Sequence, residues 1–432
     1  MSLWVLVVLA VGVNFVLWGS VGLLRLADEL TSRVRSRRRH GTTDDGQARR
    51  LTTADVAVLM AAHDEELVIA HSLQAITALV PADNVHVVSD HSTDRTVALA
   101  RAAGVHVVET ATNVGKAGAL QHGIDEFHLA ERFEAVLILD ADTQLDDRYF
   151  DVALPLLDDP RVVAVAGCAE TRWNPGELSP LGAMIVAHRQ RIYTLTQRLL
   201  KYGQTWRGIS ATHIVPGFAS IYRSRALEQI EVNPSGLVIE DFNMTFELHA
   251  KRLGRVAFAP GARAYTQDPS LYRDYVRQTS RWALGLWQTV RRHRPRRGLF
   301  AAALAVLIAE LLTSSLLFVA LPLVLAFLGV LELAGAVGLD GAGQVADAVD
   351  DHVGLVAILL GVLVPDYVLT LFVALLERRP RYLYLGLFFA VMRVTDAVVA
   401  LRALPRAWRA RSTGRWVSPT RRQMVTEGNG AG

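Results

Sequence analysis

Several short groups of polar residues in this chain carry side chains suited to a charged, phosphorylated substrate. Asp140 and Asp142, in the run LILDADT, place two carboxylates two residues apart where an apolar strand meets solvent. Hard oxygen donors at that spacing suit Mg2+ or Mn2+ shared with a diphosphate, and aspartates there also cap a following turn. Asn113-Val114-Gly115-Lys116-Ala117-Gly118-Ala119-Leu120 is a glycine-bearing turn that opens a helix. Its backbone N–H groups and Lys116 can hold phosphate, or the segment is an ordinary helix start. Lys116 is one of three lysines, with Lys201 and Lys251, in a chain otherwise basic through arginine. A compact point charge is what lysine supplies and arginine does not. Val238-Ile239-Glu240-Asp241 precedes the helical run FNMTFELHAKRL. A carboxylate there is a helix cap or, if it faces the same pocket, a general base. Gln278, Arg281 and Trp282 share one helix face at spacings of three and four. Such a face stacks on a sugar or holds a diphosphate, or it anchors a helix at a membrane boundary.

Elements that would position these residues are legible around them. Asp55–Ala61, Val85–Ser89, Val105–Glu109 and Ala135–Leu139 are short, continuous, valine-rich runs, the pattern of strands buried on both faces. Helical stretches at Glu65–Leu79, Asp94–Ala103 and Lys116–Phe127 alternate with them. Alternation of this kind predicts a parallel sheet wound with helices, with ligands at the carboxyl ends of the strands. The polar groups fall at those ends: His63-Asp64-Glu65-Glu66, Asp90-His91-Ser92-Thr93-Asp94 and Asp140-Ala141-Asp142. A further helix, Leu271–Val290, carries Gln278, Arg281 and Trp282 towards a basic segment.

Composition sets this α/β region, residues 52–292, between apolar ends. Of 432 residues, 51% are hydrophobic and 20% charged, which excludes a disordered or collagen-like chain. The net charge of +3 is mild, and a single cysteine, Cys168, excludes an internal disulfide framework. Leu3–Leu24 holds no charge and reaches about 33 Å as a helix, enough to cross a bilayer. It reads as a retained anchor (residues 1–31), with Arg25 and Arg33–Arg39 on the cytoplasmic side. Residues 293–405 read as an interfacial helix at Leu299–Leu312 followed by spans near 313–335, 354–376 and 382–404, with a basic tail at 406–432. In the last segment Arg393 and Asp396 lie three apart, the spacing of a simple ion pair. If that segment spans, the tail falls outside, against the charge rule. It is then re-entrant or interfacial, or Leu299–Ala336 crosses twice. The overall expectation is a multi-pass protein of the plasma membrane with residues 33–298 in the cytoplasm and the acidic stretch 338–352 outside.

Taken in order, AAHDEE (Ala61–Glu66), VVSDHSTDRT (Val87–Thr96), NVGKAGAL (Asn113–Leu120), DAD (Asp140–Asp142), IED (Ile239–Asp241) and QTSRW (Gln278–Trp282) resemble the family-2 membrane glycosyltransferases. That family includes synthases of cellulose, chitin, hyaluronan and poly-N-acetylglucosamine. The likeness is close over residues 55–290 and extends to the flanks by layout. It implies an α/β domain of GT-A type, a mostly parallel, doubly wound sheet, inserted between transmembrane helices. It also implies a UDP-sugar donor, UDP-N-acetylglucosamine first and UDP-glucose second. Carried over, Ala62 and Glu65 border the nucleotide, Asp90 reads the uracil, and Lys116 supports the nucleotide. Asp140 and Asp142 bind the donor with its Mg2+ or Mn2+, and Asp241 is the general base. Gln278, Arg281 and Trp282 secure the diphosphate and mark processive synthesis. Four positions depart from the pattern: Ser89, Ile239 and the pair His63-Asp64.

The reaction so implied inverts the anomeric centre. Its partners are the donor, a glycan or lipid acceptor and membrane lipids, with no nucleic acid; accessory subunits are not legible. Two rival readings follow from the same residues. A small membrane part favours single transfer to a lipid acceptor, whereas QTSRW favours a polymerase. An inactive scaffold or transporter is the alternative of another class, and the intact Asp140, Asp142, Asp241 and Arg281 weigh against it.

Overall fold

The computed structural model describes residues 12–38, 50–172, 178–338, 341, 344–345 and 355–409. Within them the valine-rich runs become the centre of an eight-stranded sheet. Its strands are β1 (Val56–Ala62), β2 (Val85–Ser89), β3 (His106–Glu109), β4 (Ala135–Asp140), β5 (Gln144–Leu145), β6 (Val162–Thr171), β7 (Ala219–Arg223) and β8 (Arg255–Thr266). The strand order is β3-β2-β1-β4-β7-β6-β8-β5. β1 to β4 pair in parallel, as the alternation predicts. The other half is not so: β7 runs antiparallel to both β4 and β6, and β5 antiparallel to β8, while β6 and β8 are parallel. The sheet is therefore mixed rather than mostly parallel. All residues of β1 and β2 are buried, as continuous apolar runs require. Each large apolar side chain so enclosed stabilises the fold by roughly 1.5–3 kcal/mol. β3 departs from that reading: it is the edge strand, with His106 and Glu109 exposed.

The longer helices are α1 (Val13–Arg38), α2 (Ile69–Thr77), α3 (Thr96–Ala102), α4 (Gly115–Glu126), α5 (Pro180–Leu195), α6 (Glu240–Ala250), α7 (Tyr272–His293), α8 (Leu299–Ala336), α9 (Leu355–Leu376) and α10 (Phe389–Arg409). α4 lies directly on the sheet because Gly123 has no side chain: a Cβ there would come within 2.6 Å of Val88 and 2.7 Å of Leu59. α5 begins at Ser179, whose hydroxyl accepts the Gly182 N–H at 3.1 Å, with Pro180 as its first residue. Both are favourable helix-start choices.

The apolar flanks differ from the sequence reading in three ways. Leu299–Ala336 is one unbroken helix of 38 residues, about 57 Å long, so it neither divides at Leu312 nor turns back. Its start packs on the α/β body, with Phe300 stacked 3.9 Å from His249 and edge-on to Phe246. Second, Arg393 and Asp396 do not pair with each other. Arg393 bonds Asp366 of α9 at 2.8 Å, and Asp396 accepts from Tyr275 at 2.6 Å and lies 3.0 Å from His188. Third, Arg25 is not a solvated flanking charge. It is buried, donating to the carbonyls of Tyr202 and Phe258, to Thr205 and to Glu29. Among the described residues two helical stretches are long and apolar enough to cross a membrane, Leu299–Ala336 and Tyr382–Arg409. The first eleven residues, most of the expected outer loop and the tail beyond Arg409 lie outside the described residues.

Candidate active site

The carboxyl ends of β1, β2 and β4 lie side by side, because Ala62 is in register with Ser89 and Ala61 with Asp140. Three of the expected site residues thus meet by strand register alone: Ala62, Asp90 and Asp140. Asp90 is fully buried. Its carboxylate accepts from Thr110 Oγ1, Val114 N and Gly115 N, each at 2.8 Å. The bonds to Val114 and Gly115 fix the turn that carries Lys116, and Gly115 sits at φ +83°, where a Cβ would be strained. Beside it Glu65 is buried, and its N–H donates to Thr96 Oγ1 at 2.8 Å.

Lys116, in the first turn of α4, reaches across the strand tips. Its ammonium lies 2.6 Å from Asp140 Oδ1, 3.0 Å from Glu240 Oε1 and 3.2 Å from the Gly217 carbonyl. An ammonium has three N–H donors, so all three have acceptors. Burial disfavours this charge, yet Asp140 and Glu240 override it and raise the Lys116 pKa above the ordinary lysine range. Burial would likewise raise Glu240, but Lys116 holds it below the usual carboxylate range. Asp140 is raised by burial and by Asp142, against the pull of Lys116.

Asp241 follows Glu240 in the first turn of α6. It accepts the Gly217 N–H on Oδ2 at 3.2 Å and the Phe242 N–H on Oδ1 at 2.9 Å. Burial and the adjacent Glu240 charge, opposed by Lys116, push its pKa up to about 6. Neighbouring carboxylates with affinities driven apart divide into an ionised anchor and a proton acceptor. Of the two, Glu240 is held ionised and Asp241 has the higher proton affinity.

Asp142 is buried at the same strand end, with Thr143 Oγ1 3.4 Å from Oδ1. Among the described residues no cluster of three or more metal-ligating side chains exists. A divalent ion at this strand end would meet two carboxylates, with Asp140 Oδ2 outside the 2.6 Å contact to Lys116. Two hard oxygen ligands fit an ion that completes its shell with substrate phosphate and water.

α7 separates the three residues that sequence spacing placed on one face. Gln278 Oε1 accepts from Arg189 Nη2 at 2.7 Å, and the same guanidinium sits 4.4 Å over the Trp282 ring and 4.7 Å over Tyr275. Arg189 is also 3.6 Å from Asp268, which accepts from Thr171 at 2.7 Å and Tyr193 at 3.1 Å. Arg281 instead is exposed. It lines a cavity of about 180 Å3 with Val238, Ser280, Leu284, Val399, Ala403 and Arg406. Its charge reaches Glu240 and helps hold that carboxylate ionised. A larger cavity, about 440 Å3, opens at the opposite ends of β1 and β4 among Ala54, Glu134 and Arg223, away from every residue above.

Sequence reasoning did not find Glu240, Gly217, Arg189 or Asp268 as members of the site. Glu240 was visible as the first acid of IED. Arg189, inside a charged-looking helix, gave no signal of its burial.

The family described as glycosyltransferase like family 2 matches residues 54–285. This chain is a family-2-like glycosyltransferase. The match spans the site from Ala62 to Trp282 but not the Val399, Ala403 and Arg406 wall of the Arg281 cavity, and the eight-stranded mixed sheet is the GT-A-like arrangement that membership implies. No curated protein matches this glycosyltransferase. Among solved structures it is similar to a mannosyltransferase from Pyrobaculum calidifontis in complex with GDP-Man and Mn2+, with 19% identity, 89% of this chain and 99% of that chain covered, and a TM-score of 0.47. It is also similar to glucosyl-3-phosphoglycerate synthase from Mycobacterium tuberculosis in complex with phosphoglyceric acid, with 17% identity, 60% and 88% covered, and a TM-score of 0.37.

Proposed function

We propose that this glycosyltransferase moves a sugar, with inversion, from a UDP-sugar to a growing β-linked glycan at the plasma membrane. UDP-N-acetylglucosamine is the first donor and UDP-glucose the second. The observation that carries the reading is the Asp241 carboxylate. Its pKa lies near 6, one residue from Glu240, which Lys116 ties to Asp140 of the D-x-D pair. Asp140 and Asp142 would hold Mg2+ or Mn2+. When bound, the ion neutralises charge on the diphosphate and favours its departure. Asp241 takes the proton from the acceptor hydroxyl as that oxygen attacks the anomeric carbon from the face opposite the diphosphate. Asp90 and the turn at 113–115 border the nucleotide, and Arg281 supplies positive charge towards the leaving group. The exposed apolar residues of α8, among them Leu316, Leu323, Phe327, Val330 and Leu333, suit a lipid environment that keeps product beside the site. The catalytic domain faces the cytoplasm in this reading.

A second reading, single transfer to a lipid acceptor, is favoured by the cavity at Arg281. Two guanidiniums, Arg281 and Arg406, meet apolar walls from Val238, Leu284, Val399 and Ala403 there, a chemistry suited to a phosphate with an apolar tail.

The test offers detergent-purified protein UDP-N-acetylglucosamine, UDP-glucose and GDP-mannose in turn, with Mn2+ or Mg2+, and measures nucleotide release and product size. Release with one UDP-sugar and a polymeric product supports the first reading. Release with a single-sugar lipid product supports the second. No release with any donor overturns both.

A further inference from the structure

Four consecutive polar residues of α5, His188, Arg189, Gln190 and Arg191, are each 2% exposed or less. Polar and charged side chains are buried at such density only when each has its own partner. The partners lie on different elements. His188 meets Asp396 of α10, Gln190 accepts the Thr171 N–H of β6 at 2.7 Å, and Arg191 bonds Asp366 of α9 at 2.7 Å. Arg189 turns to α7, to Gln278, Tyr275 and Trp282.

We propose that Arg189 is a positioning residue for the acceptor: it sets the angle of the Trp282 indole and the Gln278 amide before an acceptor sugar arrives. This rests on the reading that Trp282 receives that sugar. A guanidinium is a rigid plane with donors at its edge and a face that stacks. Arg189 uses both: Nη2 donates to Gln278, the face lies over the indole, and Nε faces the Asp268 carboxylate at 3.6 Å as an ion pair without a hydrogen bond. That stacking covers one face of Trp282, and the Ile239, Phe242 and Leu286 cluster packs against the indole as well, so the acceptor would meet the part-exposed edge that both leave. Asp268 supplies the countercharge from the segment after β8 and is itself fixed by Thr171 and Tyr193. The Trp282 side chain is thereby held from the sheet side as well as from its own helix. Lysine keeps the charge but has neither the plane nor the fork.

Full-length Arg189→Lys and Arg191→Lys are the informative pair, because both arginines are 1% exposed on the same helix and only Arg189 touches the α7 motif. The measurements are donor KM, rate of transfer to a short glycan, and the ratio of donor hydrolysis to transfer. Arg189→Lys is expected to lower transfer about tenfold or more and to shift the ratio towards hydrolysis, with donor KM within about twofold of the parent. Arg191→Lys is expected to lower the unfolding temperature and leave the ratio unmoved. Adding Trp282→Phe to Arg189→Lys is expected to cost little more, since residues that act as one unit are non-additive. Should Arg189→Lys not fold, Asp268→Asn, which leaves the guanidinium but removes its carboxylate, is the second variant, with the same shift in ratio expected. An equal shift in both lysine variants, additive effects with Trp282→Phe, or an unmoved ratio would overturn the proposal. No nucleotide release by the parent protein would overturn the proposed function with it, whereas release with an unmoved ratio sinks this inference alone.

Discussion

Lys116 and Glu240 meet at 3.0 Å although one opens the helix after β3 and the other opens the helix after β7. The contact binds the parallel half of the sheet to the first turn of α6, which carries Asp241. One ammonium is shared between Asp140 and Glu240, while burial and the neighbouring Glu240 charge push Asp241 up to about 6. A nucleotide-binding lysine was the sequence expectation. The geometry gives Lys116 three acceptors within the protein, so in the proposed reading its support of the nucleotide would act through the carboxylates it holds.

Replacing Lys116 with methionine should therefore do more than remove a positive charge. Asp140 and Glu240 would be left without their common partner in a largely buried place, which costs about 3–5 kcal/mol for pairs of this kind. Thermal unfolding of the purified variant should show that loss, and nucleotide release should fall by about a hundredfold or more. Near-normal release by a stable Lys116→Met protein would contradict the arrangement described for the site.

Asp241 gives a pH dependence with two opposite signs. As a base it must be ionised, so kcat/KM should fall about tenfold per pH unit below pH 6, the value near which its carboxyl titrates. The folded-state pKa is raised above the unfolded one, near 3.9. Its stabilising contribution is therefore complete below about pH 4 and is lost as pH rises through about 6. Asp241→Asn should abolish transfer and, at pH 7.5, stabilise the protein by on the order of 2 kcal/mol. Unfolding midpoints of parent and variant at about pH 5 and pH 8 check this: the gap between them should widen at the higher pH.

Asp142→Asn should remove the metal dependence of nucleotide release while the sheet survives, since the substitution keeps the side-chain volume at a strand end. Titration of Mn2+ against release is the measurement. A variant that reaches parental turnover at saturating metal would show that Asp142 is not a ligand.

Asp366 accepts from both Arg191 and Arg393. Asp366→Leu would leave two buried or part-buried guanidiniums unpaired, and a loss of about 3–5 kcal/mol is expected. A smaller loss in Arg393→Met, which removes the more exposed guanidinium, should accompany it. Unfolding followed in detergent distinguishes them; equal midpoints for both variants would mean that the shared carboxylate is not what holds α5 to α9 and α10.

What the sequence disclosed and what it hid divide along physical lines. β1, β2 and β4 were readable because a strand covered on both faces must be apolar throughout, and the acids after them mark where cover ends. The antiparallel half was not readable. β7 inserts between β4 and β6, and that choice of neighbour depends on packing between segments distant in the chain, with no local pattern to reveal it. Arg189 was hidden for a related reason. In isolation HRQR has the look of a solvated helix face, and only the partners supplied later, Asp268, Gln278, Asp366 and Asp396, allow it to be interior. Arg393 and Asp396 show the reverse error. Their spacing permits a local pair, but stronger partners come from α9 and from α5 and α7, and those win. The break expected at Leu312 was an inference from bilayer thickness, whereas the helix continues because nothing in Leu299–Ala336 except Pro322 interrupts it.

The run His188 to Arg191 sets a limit on how this protein can change in length. An insertion of one residue ahead of His188 would rotate the turn by about 100° and detach four side chains from four different elements in one step. No neighbouring substitution could repair all four. Along the lipid-suited half of α8, where Leu323, Phe327, Val330 and Leu333 are exposed, the same insertion would present another apolar residue in place of the last. Length variation among descendants of this chain should therefore be tolerated in α8 and absent from the segment between Ser179 and Arg191.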